Sequence, residues 1–172
     1  MAERGIVREM PRPVLDDVDR GILHMLQDDA RSNSAGDIAE EVGVAANTVR
    51  NRIERLEDEG ILRGYHPDID YEKAGFQLHV NFVSTVPTAD TEEVSKKALG
   101  IHGVIRVVQR LSGHRNLAIE AVGKDRDDIA TIARKLEDIN CTIEDEWFIK
   151  KEQMRPFNHF GITETKGEEN DS

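Results

Sequence analysis

Six side chains within nine residues, Asn47, Thr48, Arg50, Asn51, Arg52 and Arg55, are the groups in this 172-residue chain best suited to chemistry. Guanidiniums bind phosphate oxygens and the guanine edge through paired hydrogen bonds, carboxamides pair with adenine, and a hydroxyl serves either. Such a set fits the phosphates and base edges of a major groove. Arg63, with His66 near it, is placed to touch a phosphate backbone. Elsewhere the residues offer little for catalysis. The histidines stand at 24, 66, 79, 102, 114 and 159, none paired with a cysteine at ligand spacing, and Cys141 is the single cysteine. No metal site is expected from that set. Nucleophile triads, phosphate-binding loops and opposed carboxylate pairs are absent from the sequence. We therefore expect no catalytic residues, no metal and no cofactor. The runs Asp28-Asp29, Glu40-Glu41, Asp127-Asp128 and Glu144–Glu146 read as solvated surface.

The six side chains need a helix to present them, and Ser34–Leu56 supplies two. In the first, Ile38, Ala39 and Val42 share a face. In the second, Val49, Ile53 and Leu56 fall at the spacing that buries one stripe, which leaves the six polar and basic residues on the exposed side. Ser34 followed by Asp37 is a capping-box start. Gly43 sits where a left-handed turn is needed. An earlier helix begins at Leu15, capped by Asp16 or Asp17, with Leu15, Val18, Ile22, Met25 and Leu26 as its apolar stripe. Arg20 and His24 are expected at its surface. Gly60 ends the third helix, Ile61-Leu62 is expected to form a short strand, and Arg63–His66 a small wing. Three helices and a wing, with a polar-basic outer face, fit a winged helix-turn-helix at residues 15–70; an ordinary antiparallel helix pair with a solvated charged face is the alternative that these residues alone leave open. Before it, residues 1–14 form an arm carrying Arg4, Arg8 and Arg12.

Charge runs against bulk attraction to nucleic acid. Asp plus Glu number 34 against 23 Lys plus Arg, a net charge of −11. Residues 1–70 hold 16 acids against 9 bases, a net of −7, so the deficit includes the helical half. Arg outnumbers Lys 15 to 8. An acidic, lysine-poor surface fits a salt-loving organism, in whose cytoplasm phosphate repulsion is strongly screened. One cysteine excludes an intrachain disulfide, no apolar run approaches the ~20 residues of a membrane helix, and the first residues lack the apolar core of a signal peptide. A soluble cytoplasmic protein is expected.

The second half has another texture. Phe76–Val86 alternates, with Phe76, Leu78, Val80 and Phe82 on one side. A helix from Thr91 turns Val94, Ala98 and Leu99 inward. Strands at Val104–Ser112 and Leu117–Val122 flank a Gly113–Asn116 turn. A helix follows over Asp125–Ile139, then a strand over Thr142–Met154. Strand-helix-strand-strand-helix-strand is the ferredoxin-like βαββαβ order, here at residues 76–155. The whole chain is then α+β: a winged helix-turn-helix followed by a ferredoxin-like sheet domain. Helices cover one sheet face only. Ile105, Val107, Leu111 and Val83 do not all fit on that side, so the other face is expected to carry apolar residues and pair with a second copy. Residues 161–172 form a polar, acidic tail, expected to be disordered.

The segment LDDVDRGILHMLQDDARSNSAGDIAEEVGVAANTVRNRIERLEDEGILRGYHPDID, followed by this order of elements, resembles the Lrp/AsnC family of transcription regulators. The opening Leu-Asp-x-x-Asp helix, the Ile-Ala…Val-Gly pair, the Thr-Val-Arg-x-Arg-Ile helix and the Leu-Glu-x-Glu-Gly-Ile-Leu-x-Gly-Tyr exit all stand in register. The resemblance implies double-stranded DNA as partner, read at a palindromic operator by a dimer or higher homo-oligomer. Asn47, Thr48, Arg50, Asn51, Arg52 and Arg55 would then meet DNA. One departure is Ala45 where the family usually has a capping serine. The family also binds small effectors near its central hairpin, which here is Gly113-His114-Arg115-Asn116. The family's acidic residues are missing from that turn, so either the ligand differs, for example an anion held by Arg115 and the hairpin amides, or there is no ligand. The alternative within the same architecture is a haem-pathway enzyme of the sirohaem decarboxylase type, for which His102, His114 and Arg115 are the nearest candidates.

Overall fold

Side-chain caps decide where the first two helices start. The computed structural model describes residues 15–111 and 113–157; the expected arm at 1–14 and tail at 161–172 lie outside the described residues. Helix α1 runs Asp17–Asp29 with Asp16 as its cap, and Asp16 and Asp19 form a reciprocal capping box. Helix α2, Ala35–Val42, repeats the device with Ser34 and Asp37, whose carboxyl the serine hydroxyl and amide hold below the usual range. Gly43 then takes a left-handed φ of 73°, which lets the chain turn into α3, Ala46–Asp58. Ala45 caps α3 in extended geometry but has no side-chain hydrogen bond to offer. Ile22, Leu23, Ile38, Ala39, Val49 and Leu56 close the core between the three helices.

No strand forms at Ile61-Leu62. Both amides donate to the Leu56 carbonyl, each at 2.9 Å, after Gly60 takes a φ of 68°. Those donors are consumed in a helix C-cap and cannot enter a ladder. Ile61 and Leu62 still pack against the helical core, as apolar residues there should. Tyr65 ties the exit segment back by donating to Glu57 Oε1 at 3.0 Å. His24, expected at the surface, is half-buried, and its Nδ1 has no partner.

Two compact units divide the chain: one reaches to His66 and takes in the residues from Met154, the other is Pro67–Gln153. In the first, Phe157 N–H donates to Gln27 Oε1 on α1. The second is a four-stranded antiparallel sheet ordered β2-β3-β1-β4, from β1 (Leu78–Thr85), β2 (Val104–Gln109), β3 (Leu117–Gly123) and β4 (Thr142–Phe148). Helices α4 (Thr91–Leu99) and α5 (Arg126–Asp138) connect them, with a 3-10 turn at Thr88–Asp90 before α4. Val80, Phe82, Leu117, Ile119, Ala121, Val94, Ala98, Ile129, Ile132 and Leu136 are buried between sheet and helices. Gly103 is obligatory at the start of β2: at φ 95° a Cβ there would lie 2.6 Å from Ile132 Cδ1 and 2.9 Å from the Val122 carbonyl.

Several expectations need correction. Leu99 ends α4 exposed, because the helix stops at Gly100 before that turn can reach the sheet. Strand β4 stops at Phe148 and not at Met154, and β2 stops at Gln109. A register shift between Val104 and Arg106 changes which β2 side chains face the helices. Val107 therefore packs into the helix-side core, while Arg106 and Val108 stand on the open face.

Candidate nucleic-acid interface

Helix α3 divides into three stripes, not two. Val49 and Leu56 are buried, and Ile53 is half-buried against the same core. Asn47, Arg50, Asn51 and Glu54, at i, i+3, i+4 and i+7, form the outward stripe and are all exposed. Thr48, Arg52 and Arg55 lie between these two and are half-buried. Of the six predicted contacts, then, three face solvent and three sit on a flank turned toward the start of α1. Arg63 is exposed in the segment after α3.

The flank is an ion cluster. Arg52 Nη1 lies 2.8 Å from Asp16 Oδ2 and 3.1 Å from Asp19 Oδ1. Arg55 Nη2 lies 2.6 Å from Asp19 Oδ2, a charge contact more than an aligned hydrogen bond, and Arg55 Nε is buried without a partner. The Asp19 side chain is fully buried. Burying a carboxylate costs several kcal/mol unless charges and hydrogen bonds compensate; here two guanidiniums and the Asp16 amide at 3.1 Å do so. The Asp19 backbone amide and then Arg52 draw the Asp16 carboxyl below its ordinary pKa, and Asp19 raises that of Arg55. Asp16 is one of the two residues, with Asp17, expected from the sequence to cap α1, whereas Asp19 has no role there in the residue pattern alone. The signal was available in the acid pair three residues apart at the start of a helix packed on an arginine-bearing one.

With two arginines matched by carboxylates, Arg50 is the α3 cation that makes no ion pair among the described residues. Asn47 and Asn51 flank it with exposed carboxamides, while Glu54 closes the stripe with an opposing charge. The uncapped α3 N-terminus adds unsatisfied amides and the positive end of the helix dipole, a favourable place for a phosphate. Local geometry thus supplies a positive, donor-rich edge on an acidic unit.

The hairpin set behaves differently. Arg115 takes a left-handed φ of 52° and donates its amide to Thr85 Oγ1 at 2.9 Å. Gly113, His114 and Arg115 are exposed. Asn116 is 2% exposed, and both ends of its carboxamide bond the Val86 backbone, at 2.7 and 2.9 Å. It is a buried staple joining the end of β1 to the start of β3, unlike the three exposed residues before it.

On the open sheet face, register brings His79, Asn81 and Val83 beside Val122, Glu120 and Ala118, with Arg106, Val108, Asp145 and Trp147 on the flanking strands. His79 Nε2 and Glu120 Oε1 are 2.6 Å apart, and Arg106 approaches the other oxygen at 3.8 Å. Val108 and Trp147 are 40% and 44% exposed. Leu111, one of the four apolar residues expected not all to fit on the helix side, is fully exposed beyond the end of β2. Among the described residues no group of histidine, cysteine and carboxylate side chains could hold a metal ion, and no helix is long and apolar enough to cross a membrane.

Residues 15–63 match the family model described as winged helix-turn-helix DNA-binding. Over 130 residues the chain is 35% identical to an uncharacterized HTH-type transcriptional regulator of Pyrococcus furiosus, covering 73% of this chain and 77% of that one. It is 30% identical over 140 residues to the HTH-type transcriptional regulator LysM of Sulfurisphaera tokodaii, covering 78% and 98%. The solved structure of E. coli AsnC is similar with a TM-score of 0.66 at 21% identity, over 84% of this chain and 99% of that one. That of AldR from Mycobacterium tuberculosis gives 0.69 at 23%, over 83% and 99%. The two sequence relatives are transcriptional regulators by name, which supports the regulator over the sirohaem decarboxylase alternative. The chain belongs to the Lrp/AsnC family of helix-turn-helix transcriptional regulators, which bind DNA.

Proposed function

We propose that this regulator reads a palindromic operator with the outward stripe of α3, two copies acting together. The observation that carries the reading is the exposed Asn47, Arg50 and Asn51 set, at helical spacing beside an uncapped helix N-terminus. Arg50 suits a guanine edge or a phosphate, and the two asparagines suit adenine. Arg63 supports a backbone contact outside the helix. The open sheet face, with exposed Val108 and Trp147 around the His79–Glu120 pair, supports pairing with a second copy. Two α3 helices related by that two-fold would address half-sites about one helical turn apart. A small anionic effector at Gly113, His114 and Arg115 is compatible with the exposed guanidinium there. The acidic, lysine-poor composition supports work in a salt-rich cytoplasm.

A DNA-shift assay in high salt tests the reader. Arg50→Ala should weaken a selected operator by about 1–3 kcal/mol, the range of one good base contact. An unchanged affinity overturns the assignment. Trp147→Glu, followed by light scattering, tests the pairing face: a shift toward monomer is expected, and an unchanged assembly contradicts it.

A further inference from the structure

We propose that Asp16 and Asp19 are positioning residues for operator recognition, acting through Arg52 and Arg55; the inference rests on the α3 reading above. On charge alone these carboxylates have no place near a phosphate backbone. The geometry gives them one. Arg52 meets both carboxylates through Nη1, and its side-chain hydrogen bond among the described residues also comes from that nitrogen. Its side chain stays 32% exposed. A long, flexible cation is thereby fixed at one end with donors to spare, and the ordering cost that DNA binding would impose on it is already met in the free protein. Arg55 and Asp19 lock the next turn and fix the rotation of α3 about its axis, which aims Arg50 and Asn51 outward. Holding recognition groups by such supporting contacts is what gives a site its geometry. Asp19 is the centre of the arrangement, buried and joined to both arginines and to the α1 cap.

Asp16→Asn gives a test with an unusual sign. Asparagine caps a helix as well as aspartate does, so α1 is retained and only the charge facing Arg52 is lost. Removing a negative charge from an acidic DNA-binding unit should strengthen binding if bulk electrostatics rule. Positioning requires the reverse on the operator. With a duplex selected by the wild-type chain and a scrambled duplex of equal length, Asp16→Asn should lose about two- to tenfold on the operator and bind the scrambled duplex equally or more tightly. Its melting temperature should fall by no more than about 5 °C. Arg52→Lys, which keeps the charge without the planar fork, should show the same split. Equal or tighter operator binding by Asp16→Asn overturns the inference, and so does a parallel loss on both duplexes. If the wild-type chain selects no duplex, the proposed function fails first and takes this inference with it.

Discussion

Replacing Ala45 by serine tests whether the reading helix begins with an unmet requirement. Ala45 has φ −74° and ψ 146°, the extended geometry of an N-cap, yet no side-chain hydrogen bond. Its carbonyl already accepts from the amides of Thr48 and Val49 at 2.9 and 3.2 Å, so the cap backbone is in place and only the side-chain oxygen is missing. The residue is exposed, so a hydroxyl enters without a clash. Alanine in place of a capping side chain costs about 1 kcal/mol in comparable helices. For a unit of this size that converts to a rise in melting temperature of roughly 4–8 °C. Circular dichroism melting of the full chain would show it, and slower amide exchange along α3 would localise it. Ala45→Asp should stabilise at least as much, since a negative charge at a helix N-terminus adds about 0.3–1 kcal/mol. It should nevertheless weaken DNA binding, by opposing the phosphate. A serine variant that melts at or below the wild-type temperature would refute the capping argument.

Three further outcomes follow from the same geometry. Gly103→Ala should cost about 2–6 kcal/mol, backbone strain and overpacking contributing about 1–3 kcal/mol each, because φ is 95° and Cβ would meet Ile132 and the Val122 carbonyl; wild-type stability would show that the strand start can shift. Asn116→Ala should cost about 1–3 kcal/mol by leaving the Val86 N–H and C=O unpaired in a buried site, measured by chemical denaturation. The carboxyls of Asp16, Asp37, Glu92 and Glu93 are all drawn below their ordinary values by amides, the Ser34 hydroxyl and paired cations. A depressed carboxylate pKa contributes stability that is present above the unfolded value and lost as pH falls through the folded one. Stability should therefore be level near neutrality and decline below about pH 4, and a rise in melting temperature on acidification would contradict it.

Much of this was legible in the residues. Ser34 with Asp37, Gly43, and the Val49, Ile53, Leu56 stripe state the first unit plainly, since each is a local rule that tertiary structure did not override. The alternation of Val80 and Phe82 did the same for β1. What escaped were facts that depend on two segments at once. Arg52 looks like a surface cation when read along α3, yet it lies only about 60° around the helix from Val49, and its setting depends on where α1 begins. Asn116 looks like a turn residue until β1 is placed beside it. Val107 and Val108 exchange faces because of one extra residue in β2, which no periodicity reports. Ile61-Leu62 has strand-forming residues but no neighbouring strand, and the helix cap takes its donors.

Recovery of bound DNA from the protein's own cells, across the genome, tests most directly whether α3 reads an operator within a two-fold assembly. The expected result is a set of sites sharing one palindrome, its half-sites about 10 base pairs apart centre to centre, lost when Arg50 is replaced by alanine. Recovered DNA with no enriched sequence, or the same palindrome recovered by the Arg50→Ala protein, would contradict it.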